Sequence, residues 1–438
     1  MMTAWRRFLS GNKYPLIACG IFSEITYLFF YFVWPLKERV GEKTLVTANE
    51  FFFHYAILLL PLSLLVYIFS WLQIEKVQPP VKIIFFFFFL FNITLLFVPP
   101  ITSNDIYSYI YQARVFSVHH ANPYLASYSQ FKMDDFYPVI NNRWSSHLSP
   151  YGPLFIYLTG LLTIIFKHSL LLTLLSFKIF FVAANALTFW LMHKIFKDKT
   201  ALLLYGWNPL ILFEISLNGH NDIIIIFLLM AALAAFHLSR TKHFLSWAAI
   251  LLSFFVKITS LIFSPFILLG LLSRVKGAKK RIFFFLLIGA FSLFIMFLFY
   301  FPFWEGEMIL IHPFYRISQF ESILLVSPLI SMFSTLGFCG TSAAITLSRI
   351  IFIAAYLILI IKFALTKEKS LEKIIGYSLI TFLFFLLTFF NWLMPWYFTI
   401  LIFFAAAYAP YSRKNSFAGG VLIMITTFIG ISYYLFLR

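Results

Sequence analysis

The sequence predicts an all-α polytopic membrane protein of about thirteen transmembrane helices with one large extracytoplasmic loop. Three observations carry that prediction. The 438 residues are 62% hydrophobic and 11% charged, with a mean hydropathy of +0.91, more apolar surface than a water-soluble fold can bury. Apolar segments of roughly twenty residues recur along the chain, the length a bilayer crossing takes. The longest polar interruption, residues 103–154, comes early and is rich in Tyr, Asn, Ser and Asp.

Arg6, Arg7 and Lys13 precede a first span at about 14–35, which reads as an uncleaved helix. A mixed-charge loop, 36–50, leads to span two at about 51–73. Pro79-Pro80 interrupt the chain before span three at about 82–99, and Pro99-Pro100 open the long loop. Further spans are expected at about 170–192, 200–217, 222–239, 243–256, 258–273, 281–301, 344–363, 374–391, 395–411 and 416–436. The segment 151–166 is apolar enough to cross but short, and charge decides its place. If it lies at the interface, the basic clusters around Lys194–Lys199, Arg240–Lys242, Arg274–Arg281 and Lys362–Lys373 fall on the cytoplasmic side with the N-terminus. If it crossed, all of them would move outside.

Three regions follow: N-terminal transmembrane helices (1–99), an extracytoplasmic loop with interfacial helices (100–168), and a helical bundle with short outer-face loops (169–438). The net charge of +17 sits mainly in short loops, where it sets topology, so nucleic acid is not an expected partner. Cys19 and Cys339 form no disulfide or metal framework. No internal or inverted repeat is evident.

This topology gathers polar groups on the outer side: the 103–154 loop, the run Asn218-Gly219-His220-Asn221-Asp222, the turn Asn391-Trp392 to Trp396-Tyr397, and a loop carrying Trp304, Glu305, Glu307, His312, Arg316 and Glu321. Asp105 stands just beyond span three, where partial desolvation would raise its pKa and suit it to act as a general base. Its alternative role is to cap, with Ser103 and Asn104, a helix over 106–118. Arg114 can pair with an acid or bind phosphate bidentately, or be a plain surface arginine. Asp134, Asp135 and Arg143 are weaker candidates. Lys257 joins two short apolar segments and either snorkels or faces a polar cavity. His220 can donate to a phosphate or sugar hydroxyl, although its run also suits a turn capping the next span. Trp396 and Tyr397 are interfacial anchors or sugar-stacking faces. Glu24, Lys178 and Glu214 lie within spans, as buried pairs or cavity lining, and rank below the loop residues. No paired His or Cys spacing marks a metal site and no cofactor is expected, while an Asp-plus-loop Mg²⁺ or Mn²⁺ site stays open.

Several short motifs together carry a resemblance. Asn104-Asp105-Ile106-Tyr107 is followed by Ala113-Arg114-Val115, Asn122-Pro123-Tyr124 and Ser149-Pro150-Tyr151-Gly152-Pro153-Leu154. Trp207-Asn208-Pro209-Leu210, the Asn218–Asp222 run, Lys257 before Ser264-Pro265, and Pro395-Trp396-Tyr397 come after. In order and topology the set resembles the GT-C superfamily of polyprenyl-phosphate-sugar-dependent glycosyltransferases, and within it the mannosyltransferase branch. That branch holds the enzyme adding the first mannose of the glycosylphosphatidylinositol anchor and bacterial polyprenol-phosphate-mannose-dependent α-mannosyltransferases. The resemblance implies that Asp105 is the catalytic acid of the first large outer loop and that 149–166 is a membrane-parallel element. It spans about 103–400 and leaves residues 1–80 unaccounted for; the acid is also single where some members carry two.

The function expected on this basis is hexose transfer, mannose foremost, from a polyprenyl-phosphate-linked donor to a cell-envelope glycan or glycolipid, with inversion, at the outer face of a bacterial inner membrane. Arg114, His220 and Lys257 are expected at the donor phosphate. Tyr107, Tyr124, Tyr151, Asn218, Asn221, Asp222 and Trp396 are expected to bind substrate. Membrane lipid is the remaining partner. A flippase or transporter is the alternative, disfavoured by the absence of repeats and by polar groups on one face instead of mid-membrane; a glycan ligase is another.

Overall fold

The computed structural model describes residues 13–34, 36–39, 50–140, 142, 144–238, 243–307, 309, 327–336, 340–390, 393–412 and 416–436. Cys339, Arg143, His312, Arg316, Glu321, Asn391 and Trp392 therefore lie outside the described residues. Every regular element among the described residues is helical.

The chain opens with α1 (Tyr14–Val33), α2 (Glu50–Val77) and α3 (Val81–Leu96), α1 packing on both of the others. Pro80 stands immediately before α3, where a missing N–H costs nothing. The long loop is not irregular throughout. It contains α4 (Asp105–Ser117) and ends in α5 (Pro153–Ile165), and these two helices pack against each other. Thirteen residues of helix, the length of α5, reach about 20 Å, short of the roughly 30 Å hydrocarbon core.

The bundle continues with α6 (Leu170–Phe196), α7 (Lys199–Gly206), α8 (Pro209–Ile211, running on as a π-helix over Leu212–Leu217) and α9 (Asp222–Leu238). It is completed by α10 (His243–Phe254), α11 (Ser264–Arg274), α12 (Ala278–Tyr300), α13 (Thr341–Leu365), α14 (Leu371–Thr388), α15 (Tyr397–Tyr408) and α16 (Ser416–Phe436). Five of the described helices are long and apolar enough to cross a membrane: α1, α6, α12 with its 3₁₀ extension to Phe303, α13 and α14. The α7–α8 pair, bent by 45°, makes a sixth. The other expected spans correspond to apolar helices of 10–17 residues, among them α3, α9, α10 and α15. Helix α12 turns Ile282, Phe283, Leu286, Leu293 and Phe294 outward, a face suited to lipid and unsuited to water.

Breaks in these helices are satisfied internally, as a bilayer demands. At the α7–α8 corner the Asn208 side chain accepts from the Leu210 and Ile211 amides at 2.9 and 3.2 Å. Its own amide donates to Thr427 Oγ1 on α16 at 2.7 Å. Asn92, Asn185, Tyr205 and Ser216 link α3, α6, α7 and the π segment: Asn185 Nδ2 and Ser216 Oγ donate to Asn92 Oδ1 at 3.0 and 2.6 Å, and Tyr205 OH donates to Asn185 Oδ1 at 2.7 Å. Lys178 on α6, fully buried, donates from Nζ to the carbonyls of Leu95, Val98 and Leu217. It thereby ties the chain leaving α3, which leads to Asp105, to the end of the π segment, which leads to His220.

Candidate active site

Asp105 is the first residue of α4. Asn104 precedes the helix without a side-chain cap, and the Asp105 amide donates to Ser103 Oγ at 3.2 Å. Ser103 thus does the local capping, and the Asp105 carboxylate is left to face elsewhere. It faces the Asn218–Asp222 run: Asp105 Oδ2 lies 3.8 Å from His220 Nδ1.

That run is shaped by a change of helical pitch. In the π segment the bonds skip one residue further than in an α-helix, and the Asn218 amide donates to the Phe213 carbonyl at 2.8 Å. Asn218 then staples the run to the start of the long loop, accepting from the Ile101 and Thr102 amides, both at 3.2 Å, and donating to Thr102 Oγ1 at 2.7 Å. Gly219 follows with φ +73°, and a Cβ there would come within 2.5 Å of Ile106 on α4. Both the left-handed turn and the close approach require glycine. The result is His220 directly against Asp105.

The remaining members come from three other places. His220 Nε2 lies 3.1 Å from Glu214 Oε2 of the π segment, without the alignment of a full hydrogen bond. The Trp396 ring stacks on the His220 ring at 4.2 Å. Tyr109, one turn along α4, places its hydroxyl 3.5 Å from His220 Nδ1 and 3.4 Å from Asn221 Oδ1. Asp222, the first residue of α9, accepts from Lys257 Nζ at 3.1 and 3.3 Å, and that ammonium lies 5.0 Å from the centre of the Tyr397 ring. Lys257 is held by the loop itself: the Gly152 and Leu154 amides donate to the carbonyls of Val256 and Phe255 at 3.0 and 3.1 Å. A Cβ on Gly152 would collide with the Phe255 carbonyl oxygen.

Exposure orders the cluster. The side chains of Asp105 and Lys257 are 25% and 17% exposed, whereas those of His220, Glu214 and Asp222 are at 2% or below. An incoming molecule meets Asp105 and Lys257 first. Burial pushes the Asp105 carboxyl above the usual carboxylate range, the Asp222 charge pushes the same way, and His220 and Lys257 pull it back only in part. Burial works against charge on His220, but Glu214, Asp105 and Asp222 outweigh it and hold the imidazole above its ordinary value. Burial and then the neighbouring Tyr151 and Asp105 keep the Tyr109 hydroxyl protonated. The amide nitrogen of Asn221 is buried without an acceptor, an unspent donor inside the cluster. Among the described residues no three His, Cys, Asp or Glu side chains are grouped to hold a metal ion.

Of the expected site residues, the structure brings together Asp105, His220, Lys257, Asn218, Asn221, Asp222 and Trp396. Tyr151 stands against Tyr109, ring centroids 5.2 Å apart, with its hydroxyl raised first by burial and then by the charges of Asp105 and Asp222. Arg114 does not join them. Its guanidinium donates from Nε to both Asp134 oxygens at 2.9 Å and from Nη1 to the Lys167 carbonyl at 2.8 Å, and lies 3.8 Å from the centre of the Phe136 ring. Tyr124 donates to the Tyr151 carbonyl at 2.9 Å and helps shape the loop, and Tyr107 is buried in the α4 packing. Asp135 is 70% exposed near His168. Glu214 and Tyr109 are members that sequence reasoning did not place. The available signal for Glu214 was a lone acid inside an apolar run, six residues before His220. A separate apolar groove of about 580 Å³ lies between α1 and α3, lined by Ile21, Ile25, Phe86 and Leu90 with Glu24 and Lys82, away from this cluster.

Residues 34–273 match the family model of the α-(1→6)-mannopyranosyltransferase N-terminal domain, more than half of the sequence. The chain belongs to this family. The match includes most of the residues that form the polar cluster and starts early enough to take in α2, which the motif resemblance left unaccounted for. A probable α-(1→6)-mannopyranosyltransferase of Mycolicibacterium smegmatis is 24% identical over 149 residues, 32% of this chain and 26% of the relative. The aligned region thus spans about a quarter of that relative's length. No solved structure matches.

Proposed function

We propose that this protein is a membrane mannosyltransferase of GT-C type, moving one mannosyl residue from a polyprenyl-phosphate-linked donor to a cell-envelope glycan or glycolipid at the extracytoplasmic face. The observation that carries the reading is the partly exposed pair Asp105 and Lys257 beside a buried polar cluster, in a chain of the α-(1→6)-mannopyranosyltransferase family. An acceptor hydroxyl gives its proton to Asp105 as its oxygen attacks the anomeric carbon. The bond from that carbon to the phosphate oxygen breaks, its electron pair leaves with the polyprenyl phosphate, and the configuration inverts. The transition state has oxocarbenium character. Lys257 is the cation in position to meet charge developing on the phosphate. In this arrangement His220 supports Asp105 from behind, and Arg114 holds the loop instead of the donor. The positive-inside charge pattern, with about thirteen spans and the N-terminus inside, supports an outer-side location for these groups.

The test uses purified protein in detergent, polyprenyl-phosphate mannose and a short α-(1→6)-linked mannan oligosaccharide, with products read by mass spectrometry. Wild type should extend the oligosaccharide by one hexose, and Asp105→Asn should lower the rate by about 10²–10⁴-fold with normal membrane insertion. A fully active Asp105→Asn protein would remove Asp105 from the mechanism. Absence of any product from well-folded wild type with these substrates would overturn the donor and acceptor assignment.

A further inference from the structure

Glu214 has no part in the chemistry described so far, yet it is an acid buried completely in an apolar segment. Such a group is expensive to keep and stays only where it is paired or functional. Its position is unusual in three ways. It sits in the one π-helical stretch among the described residues, a geometry that concentrates at functional sites. Its Oε2 faces His220 Nε2 at 3.1 Å while its Oε1 has no partner. And the other ring nitrogen of the same histidine faces Asp105. The three side chains form a line: buried carboxylate, buried imidazole, half-open carboxylate.

The balance of charge argues for a charged middle member. Glu214, Asp105 and Asp222 bring three carboxylates into the cluster, and the Lys257 ammonium pairs with Asp222. The hydroxyls of Tyr109, Tyr151 and Tyr397, which feel the Asp105 and Asp222 charges, stay protonated, and Trp396 covers the ring with an apolar face. With a neutral imidazole, the carboxylates of buried Glu214 and Asp222 and of partly exposed Asp105 would oppose one positive charge, an arrangement that low-dielectric surroundings penalise. A charged imidazole brings the balance to three against two, with the remaining negative charge on Asp105, the acid most open to solvent.

We propose that Glu214 is a positioning residue acting through His220: the buried carboxylate keeps the imidazole charged and its ring fixed, and the imidazolium keeps Asp105 ionised so that it can accept the acceptor's proton. His220, 1% exposed beneath Trp396, reaches Asp105 but not an entering phosphate. The inference rests on Asp105 being the base. It adds the reason that a carboxylate raised by burial is still available to take a proton at neutral pH.

Two measurements on the full-length protein decide it. In the transfer assay, Glu214→Gln preserves shape but removes the charge. The acid limb of the kcat/KM against pH profile should move up by about one unit, a roughly tenfold loss on that limb with much less loss at high pH. His220→Gln should move it at least as far. A Glu214→Gln profile lowered equally at every pH, or not at all, overturns the proposal. If Asp105→Asn is inactive in the same assay, the base assignment survives that outcome; if Asp105→Asn is active, the base assignment fails instead. The second measurement needs no turnover: ¹⁵N NMR of the histidine rings, with His220 assigned by its loss in His220→Gln. Wild type at pH 7 should show an imidazolium at His220 and Glu214→Gln a neutral ring. A neutral His220 in folded wild type overturns the proposal whether or not transfer is observed.

Discussion

Helix α4 carries a polar cluster at each end, and the two differ in how completely they are satisfied. At its C-terminal end Arg114 and Asp134 are 2% and 0% exposed. Asp134 accepts from Arg114 Nε, from Tyr128 OH at 2.8 Å and from the Phe136 amide at 2.9 Å, and meets His119 Nε2 at 2.6 Å. Burial alone would raise its carboxyl, but these bonds, Arg114's first, hold it below the usual range. At the N-terminal end Asp105 has a 3.8 Å neighbour, a raised carboxyl and a quarter of its side chain open. Around it are an unspent Asn221 amide and an unpaired Glu214 oxygen. A saturated network has nothing left to offer a ligand and acts as a rivet holding the loop closed. An unsaturated one keeps donors, acceptors and charge in reserve, which is what differential stabilisation of a transition state requires. Residue type does not separate the two ends of α4; satisfaction does.

The contrast is broken or upheld most directly by matched substitutions. Asp105→Asn should cost about 10²–10⁴-fold in rate and leave the apparent Tm in detergent unchanged or higher. Asp134→Asn should do the reverse: Arg114 is left buried and unpaired, a loss of about 3–5 kcal/mol, with a markedly lower Tm and poor yield. Equal stability losses in both variants would erase the distinction.

Next in size is Lys257→Met, expected to slow transfer by about 10²-fold and to destabilise the protein through the abandoned Asp222. Adding Asp222→Asn should recover stability without recovering rate. Recovery of both would mean that Lys257 serves only to neutralise Asp222.

The pH dependences should also part company. The folded carboxyl of Asp105 is raised, so its contribution to stability is complete below the unfolded value and lost as pH rises through the folded one. Activity runs the other way, falling as pH drops through that raised value. Asp134 is depressed, so its contribution is complete above the unfolded value near ~3.9 and is lost only as pH falls through the lower folded one. Rates measured from pH 8 downward should therefore fall while Tm still holds the Arg114 contribution. Activity and the Arg114-dependent part of Tm failing together over the same pH range would break the comparison.

Much of this was legible in the sequence. Hydropathy led to a helical membrane bundle, and the loop-charge balance placed Asp105, the Asn218–Asp222 run and Lys257 on the same side. Those groups lie at the ends of apolar segments, where position along the chain fixes position across the bundle. Pairing was among the readings of Arg114 and Glu214, but their partners were not legible. Arg114 meets Asp134, twenty residues on, because the loop folds back, and nothing local encodes that return. Glu214 turns toward His220 because the helix widens to π pitch after the Asn208 break, so an α-helical reading points it elsewhere. The expected count of about thirteen spans met five long helices and one bent pair, the remaining expected spans corresponding to shorter apolar helices.

The smallest test sets one tyrosine against another. Tyr128 donates to Asp134 at 2.8 Å, a short bond to a buried carboxylate. Bonds to charged groups contribute about 1.5–3 kcal/mol, so Tyr128→Phe should lower Tm measurably and leave kcat alone. Tyr109 has contacts of 3.4 and 3.5 Å to Asn221 and His220, too long to hold much of the fold together. Tyr109→Phe should change Tm little and instead alter the rate, because the lost hydroxyl belongs to the side of the cluster that faces Asp105. The two hydroxyls are deleted by the same chemistry from opposite ends of α4. If Tyr109→Phe proves the more destabilising, the N-terminal cluster is as much a rivet as the C-terminal one, and its long distances conceal bonds that are in fact formed.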